Sequence, residues 1–286
     1  MPADCVAAAT PTPRNSTVAH AAAGPGSGPL PPCSFVVAIP VYNEEAHVAG
    51  VLPRVRKHAG HVLVIDDGSS DRTPQILEEF ARAEPDRVRV VRHETNQGYG
   101  TSMRAAFAWA AARGVSWLIT MDCDEQHEPE AIPEFVAAAC TQRWDVISGS
   151  RYLRADGADD RPPEDRRRIN HLMTEEINRR LGLGLTDAFC GFKAYRVSAL
   201  GRMTLTEPGY AFPMQFWVQA AALALRITEI PVRLIYNDLN RSFGGPLDDP
   251  QVRLAHYTRV LHCEMERWAA HLPAKATRGV SAGCGE

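Results

Sequence analysis

Short β-branched segments alternate with longer helix-like segments through the first half of the chain, and this alternation limits the possible folds more than any other feature. Four segments are typical of buried parallel strands: Phe35 to Ile39, Val62 to Ile65, Val88 to Val91 and Trp117 to Met121. Each is followed by a helix-length segment, and these begin near Glu44, Thr73, Tyr99 and Pro129. A β-α-β-α order predicts an α/β fold with a doubly wound, mostly parallel sheet that binds ligands at the carboxyl ends of its strands.

The second half of the chain is less regular. Further strands are expected over Asp145 to Gly149, near Cys190 to Tyr195 and over Thr228 to Tyr236, and helices within Arg151 to Arg180 and over Phe212 to Leu225. Residues 1–33 are rich in Ala, Pro, Gly and Ser and lack the apolar core of a signal peptide. We therefore expect a disordered leader (1–33), one folded domain (34–272) and a disordered tail (273–286).

Charge and cysteine content exclude several classes of protein. A net charge of -3 and a pI near 6.4 give no general attraction to nucleic acid, so an anionic ligand must be held by a local cluster. The seven cysteines are scattered, odd in number and contain no CxxC pair, which argues against a disulfide framework or a zinc site and favours a reducing cytoplasm. The chain also has no run of the roughly 18 to 20 apolar residues that a membrane span needs.

Polar clusters follow three of the predicted strands, at the edge of the sheet where a ligand should bind. They are Pro40 to Glu45, Asp66 to Thr73 and Asp122 to His127. Each alone has an ordinary structural explanation, since Asp71 is placed to cap the next helix, and Asn96, Gly98 and Gly100 suit a simple turn into a helix. Three such clusters at successive strand ends nevertheless predict a binding site.

Asp122 and Asp124 lie two residues apart, just past an apolar strand. An extended backbone puts both carboxylates on one side of the chain. Mg²⁺ or Mn²⁺ is commonly bound through one or two carboxylates together with substrate phosphates, so this pair, with Gln126 nearby, predicts a cation that carries a diphosphate. For His127, a supporting contact or a plain turn position is expected rather than a place among the metal ligands.

Six motifs in order resemble those of family 2 glycosyltransferases, and most of all the polyprenyl-phosphate (dolichol-phosphate) mannosyltransferases. They are IPVYNEE (Ile39 to Glu45), DDGSSDRT (Asp66 to Thr73), NxGxG (Asn96 to Gly100), MDCDEQHEPE (Met121 to Glu130), GSRY (Gly149 to Tyr152) and DAFCGFKAYR (Asp187 to Arg196). The resemblance implies a GT-A fold, a nucleoside-diphosphate-sugar donor with GDP-mannose ahead of UDP-glucose, a polyprenyl-phosphate acceptor, and Mg²⁺ or Mn²⁺.

The resemblance also implies roles for single residues. The nucleotide pocket would be formed by Pro40, Tyr42, Glu44, Asp67, Asp122 and Cys123. The metal would be held by Asp122, Asp124 and Gln126. Arg151 and Arg241 would bracket the phosphates of donor and acceptor, and with Asp124 they are the expected catalytic residues, because guanidinium groups bind phosphate bidentately.

Three positions depart from the family's motifs. Glu125 replaces a Gly in the metal loop, and Pro213 and Gln215 replace Gln and Glu. A lipid-phosphate acceptor is already an anionic nucleophile and needs no general base, whereas a hydroxyl acceptor needs one, for which Glu125 is the candidate. The alternatives are therefore a family 2 transferase that acts on a hydroxyl, or a homologue that binds a sugar nucleotide without turnover.

Two other enzyme classes are disfavoured. A nucleotidyltransferase should have a Gly-rich basic loop after the first strand, and a dinucleotide oxidoreductase should have GxGxxG there, but PVYNEE supplies neither. For a lipid acceptor, we expect a cytoplasmic protein that touches the inner membrane surface. Arg166, Arg167 and Arg168, followed by the amphipathic pattern Ile169 to Leu181, are the candidate contact, with an ordinary packed helix as the alternative.

Overall fold

A seven-stranded sheet forms the centre of the computed structural model, which describes residues 33–153, 163–235 and 244–280. Its strands are β1 (Phe35–Val41), β2 (Val62–Asp66), β3 (Val88–Arg92), β4 (Trp117–Thr120), β5 (Val146–Ser150), β6 (Lys193–Arg196) and β7 (Ile227–Pro231). They are ordered β3-β2-β1-β4-β6-β5-β7, and β6 alone runs antiparallel to its neighbours. The predicted α/β class with a mostly parallel sheet is confirmed.

Helices cover both faces of this sheet. They are α1 (Val48–His58), α2 (Thr73–Ala83), α3 (Tyr99–Ala112), α4 (Ile132–Cys140), α5 (Glu164–Leu181), α6 (Val197–Leu200), α7 (Phe212–Ala222), α8 (Pro250–Arg267) and α9 (Ala274–Thr277). Side chains alternate between the faces along β1: Val36 and Ala38 join one apolar core, and Val37 and Ile39 join the other. Burial on both faces explains why β1, β2 and β4 are largely apolar.

The reversed strand β6 brings a second set of residues to the ligand edge of the sheet. Lys193, its first residue, pairs with Thr120, the last residue of β4, and with Ser148 in the middle of β5. Because an antiparallel strand starts where its parallel neighbours end, the segment Asp187 to Phe192 reaches the same edge as the loops that follow β1, β2 and β4.

The burial of helix α5 contradicts the prediction that its apolar stripe contacts a membrane. Its apolar stripe is buried in the protein: Ile169, Met173, Ile177 and Leu181 are at most 7% exposed. The predicted alternative, an ordinary helix packed on the domain, is therefore what the structure has, and the apolar face is not available to a lipid surface. Among the described residues, no helix is both long and apolar enough to cross a membrane.

The last part of the described chain was predicted wrongly. Residues 273–280 were expected in a disordered tail, but α9 packs against α5, where the Arg180 guanidinium donates to the carbonyl oxygens of Ala276 and Arg278. Ala276 is fully buried, and this contact together with the hydrogen bonds orders the segment. Helix α8, which the sequence did not predict, supplies the neighbouring wall. Residues 1–32 and 281–286 lie outside the described residues.

Cysteine pairing is a second correction. Cys33, just before β1, forms a disulfide with Cys140 at the end of α4, whereas Cys123 and Cys190 are free and buried. The two bonded residues are 107 positions apart, so spacing in the sequence could not reveal the pair. The cysteine argument for a reducing compartment therefore no longer holds.

Candidate active site

A cavity of about 630 Å³ opens at the carboxyl ends of β1, β2 and β4. Nine residues that were predicted for the site line it: Pro40, Tyr42, Glu44, Asp67, Asp122, Cys123, Asp124, Gln126 and Arg151. Arg241 lies outside the described residues. The structure thus brings together side chains from four separate loops, as ligand binding at this edge of the sheet requires.

The loops after β1 and β2 hold each other in place. The Asn43 N–H donates to Ser69 Oγ, and Asn43 Oδ1 accepts from the Ser70 N–H at 2.8 Å. The Glu44 N–H donates to Thr73 Oγ1, also at 2.8 Å. Asp71 accepts the N–H of Thr73 at the start of α2 and that of Glu45. Much of the DDGSSDRT motif therefore shapes the loop that carries Tyr42 and Glu44.

Asp67 has a structural partner that the sequence did not reveal. Its carboxylate accepts the backbone N–H groups of Gln97 and Gly98, at 3.0 and 2.8 Å, and contacts His93 Nδ1 at 2.6 Å. Asp67 thus holds the NxGxG loop, besides lining the cavity. The glycines of that loop are needed for a different reason, which is lack of space for a side chain. A Cβ at Gly98 would lie 2.4 Å from the carbonyl oxygen of Pro208, and a Cβ at Gly100 would lie 2.2 Å from that of Glu207.

The metal loop is supported from behind by His127 and Gly191. The Asp122 N–H donates to His127 Nδ1 at 3.1 Å, which gives the buried His127 the supporting contact that was predicted. A Cβ on Gly191 would lie 2.5 Å from Asp122 Oδ2, so only glycine leaves room for this carboxylate. Asp124 Oδ1 accepts the Gln126 N–H. Both aspartates border the cavity, and the Asp122 side chain is 34% exposed.

Asp122, Asp124 and Gln126 fit a hard divalent cation in an open site. Their donor atoms are oxygens, and the described residues contain no cluster of three or more His, Cys, Asp or Glu that would enclose a metal. Mg²⁺ commonly has such partial protein coordination, which substrate phosphates and water complete.

Glu125 was the candidate base for a hydroxyl acceptor, and its position counts against that role. It is not among the residues that line the cavity. Its carboxylate instead lies beside α1, where Oε1 would be 3.3 Å from a Cβ on Gly50. Glu125 has a φ of 60°, in the left-handed region, which explains why the related motif has glycine here.

Replacing Glu125 with Gly should therefore give a more stable protein than replacing it with Ala. A residue with a Cβ in the left-handed region is disfavoured by roughly 1 to 2 kcal/mol, which Gly avoids. We expect Glu125→Gly to melt about 3 °C higher than Glu125→Ala, which removes the carboxylate but keeps the Cβ. Scanning calorimetry on both variants measures this difference. Equal melting temperatures would contradict the assigned backbone conformation.

Arg151 and Asp187 form a buried ion pair, and Arg151 lines the cavity. Arg151 follows β5 and binds the carboxylate of Asp187 bidentately, with Nε–Oδ2 and Nη2–Oδ1 distances of 2.6 and 2.9 Å. Asp187 also accepts from Asn170 Nδ2. Burial alone would raise the pKa of Asp187, but the charge and hydrogen bonds of Arg151 hold it well below its usual range. The pair fixes the guanidinium at the cavity while leaving other N–H donors for a ligand.

Further cationic residues line the same cavity. They are Arg166, Arg167, Lys193 and Arg253. Arg166, Arg167 and Arg168 were the candidate membrane contact. Arg166 and Arg167 border the cavity, and Arg167 and Arg168 are exposed. Lys193 and Arg253 were missed. Lys193 is one of only three lysines and lies within the motif Asp187 to Arg196, so the sequence did contain a signal for its role. Arg253 lies on helix α8, which was not predicted.

Gln215 has a structural role. Its Oε1 accepts the N–H groups of Thr206 and Glu207, and its Nε2 donates to the buried Glu264 at 2.9 Å. Gln219 donates to the other oxygen of Glu264. A glutamate at position 215 would face Glu264, so the amide matches the carboxylate that α8 supplies. Gln215 is not among the cavity-lining residues, whereas Pro213 is.

Comparison with known proteins gives consistent results. Residues 36–204 match the profile of the family described as glycosyl transferase family 2. The chain is 33% identical to the polyprenol monophosphomannose synthase of Mycolicibacterium smegmatis, over 78% of this chain and 86% of that protein. It is also 33% identical to the undecaprenyl-phosphate mannosyltransferase of Micrococcus luteus, over 77% and 91% of the two chains.

A solved structure shares the fold at lower sequence identity. It is the glucosyl-3-phosphoglycerate synthase of Mycobacterium tuberculosis in complex with Mn²⁺, UDP and glucosyl-3-phosphoglycerate. The TM-score is 0.59 at 20% identity, and the alignment covers 84% of this chain and 81% of the other.

Proposed function

The chain belongs to glycosyl transferase family 2 and is a glycosyltransferase with a GT-A fold, and from this we propose that it transfers a hexosyl group from a nucleoside-diphosphate sugar to a polyprenyl phosphate. Two relatives with 33% identity are named for mannosyl transfer to polyprenyl phosphates. We therefore propose mannose as the sugar and GDP-mannose as the donor, with UDP-glucose as the next candidate.

Two groups of side chains with opposite charge line the same cavity, and this combination carries the proposal. The carboxylates of Asp122 and Asp124 suit a cation bound to the donor diphosphate. The guanidinium groups of Arg151 and Arg166 suit a second phosphate. An acceptor that is itself a phosphate would explain why cationic side chains line the cavity besides the metal loop.

Such an acceptor attacks without a general base. Its anionic oxygen forms the new bond to the anomeric carbon while the bond from that carbon to the diphosphate oxygen breaks, so a single displacement inverts the configuration. Arg151, held by Asp187, would orient the acceptor phosphate, and Tyr42 and Glu44 would border the nucleotide. Mg²⁺ or Mn²⁺, held by Asp122, Asp124 and Gln126, would neutralise the leaving diphosphate.

A hydroxyl acceptor is the second candidate and receives less support. It would need a carboxylate to remove its proton. Glu125 lies beside α1 instead of at the cavity, and Gln215 is bound to Glu264.

Ligand-induced thermal stabilisation tests the donor. We expect GDP-mannose with Mn²⁺ to raise the melting temperature more than UDP-glucose, because a ligand at about 100 times its dissociation constant stabilises the native state by roughly 2.7 kcal/mol. EDTA should abolish most of the shift. If neither a nucleoside diphosphate nor a nucleoside-diphosphate sugar changes the melting temperature in the presence of metal, the transferase proposal fails.

Mass spectrometry of the product tests the acceptor. Incubation with GDP-mannose and a short-chain isoprenyl phosphate should yield the glycosyl phosphate, and NMR should show the inverted anomer. The matching isoprenyl alcohol is the control. Transfer to the alcohol but not to the phosphate would favour the hydroxyl-acceptor alternative.

A further inference from the structure

Lys193 is a buried cation in the cavity that also contains the metal loop and Arg151. It begins β6, is 4% exposed and lines the cavity. Besides burial, the charges of Cys190, Asp187, Arg151 and Asp122 influence its pKa, so it lies within electrostatic range of both Arg151 and the metal loop. The transferred sugar would lie in the same cavity.

The direct contacts of this ammonium group are with uncharged groups. Nζ donates to the carbonyl oxygen of Cys190 and lies 5.5 Å from the ring centre of Trp217. Within the described part of the chain it forms no ion pair with a carboxylate. Of the two carboxylates that influence its pKa, Asp187 is bound to Arg151, and Asp122 is a proposed metal ligand.

A buried ammonium group without an ion-paired carboxylate lowers the stability of the ligand-free protein. Burial lowers the pKa of Lys193, since it disfavours the charged form. Buried charges in native proteins are paired or bind ligands, because a carbonyl oxygen and an aromatic face replace only part of the lost hydration. An ammonium group with three donors therefore retains capacity for an anion in the cavity.

We propose that Lys193 binds a phosphate oxygen of the substrates at the point where the sugar is transferred. This inference rests on the proposed function, which places two phosphate groups in the cavity. The oxygen belongs either to the donor diphosphate or to the acceptor phosphate, and in both cases the ammonium group offsets negative charge near the reacting carbon.

Lys193→Met tests the proposal, because Met keeps much of the length and apolar character of the side chain and removes the charge. Lys57→Met, at an exposed position on α1, is the matched control. Calorimetry with GDP and Mn²⁺ gives the dissociation constant on the donor side, and KM for a short-chain isoprenyl phosphate reports on the acceptor side. Loss of one charge-assisted hydrogen bond should weaken one of these about 10- to 100-fold.

The melting temperature of the ligand-free protein separates binding from a structural role. If Lys193 serves a ligand, Lys193→Met should melt at the same temperature as the wild type or higher. A lower melting temperature with the dissociation constant and KM unchanged would overturn the proposal. If the wild type and Lys57→Met transfer no sugar, the proposed function fails, and titration of the same variants with inorganic pyrophosphate still decides whether Lys193 binds phosphate oxygens.

Discussion

Asp124→Asn is expected to abolish the increase in nucleotide affinity that a divalent cation provides and to lower glycosyl transfer about 10³-fold. Asp122 and Asp124 are the two carboxylates proposed for the cation, and both border the cavity. Asparagine has the same shape and can still accept the Gln126 N–H through Oδ1. The expected loss therefore comes from the charge. Calorimetry with a nucleoside diphosphate, with Mn²⁺ and with EDTA, measures it directly.

Glu128→Gln is the control for this variant. Glu128 belongs to the same acidic loop but pairs with Arg233 and does not line the cavity. It should retain both metal-dependent binding and transfer. A wild-type protein that binds the nucleotide equally well in EDTA would rule out the metal assignment, as would an Asp124→Asn variant that keeps its response to Mn²⁺.

Asp187→Asn is expected to destabilise the fold by about 3 to 5 kcal/mol, since it leaves the Arg151 guanidinium in the interior without its counter-ion. Transfer should also decline in the fraction that remains folded, because Arg151 would no longer be held at the cavity. Urea denaturation gives the stability. Glu130→Gln removes an exposed partner of Arg54 and should change stability by less than about 1 kcal/mol.

The pH dependence gives a second measurement of the same pair. The pKa of Asp187 is lower in the folded than in the unfolded protein, so its contribution to stability is present at neutral pH and is lost in acid. The difference between wild type and Asp187→Asn should thus narrow as the pH falls below about 4, near the unfolded pKa of Asp. A difference that stays constant down to pH 2 would show that the ion pair is not its source.

The local sequence pattern was sufficient to predict the parts of the fold that depend on residues close together in the chain. Strands β1, β2 and β4 are apolar runs buried on both faces, so each could be located from its own sequence, and the polar residues directly after them had to reach one edge of the sheet. Placing Asp122 and Asp124 at the cavity required no more than this.

The remaining features depend on contacts between distant parts of the chain. Lys193 reaches the cavity because β6 runs antiparallel between β4 and β5, and no short segment encodes that register. Asp67 binds Gln97 and Gly98, about thirty residues away. Helix α8 had a local signal, since Leu254, Tyr257, Leu261 and Met265 recur at helical spacing, but they follow the last recognised motif.

The disulfide between Cys33 and Cys140 turns the proposed donor side of the enzyme into a covalent ring. The ring contains β1 to β4 and the loops that carry Asp67, Asp122 and Asp124, whereas Arg151 and Lys193 lie beyond it. A closed loop of this length restricts the unfolded chain and, in the loop-entropy description, favours the native state by roughly 4 to 5 kcal/mol. A reductant would therefore act on folding through the portion that is proposed to bind the nucleotide, and the redox state of its surroundings would help to decide how much folded enzyme a cell retains.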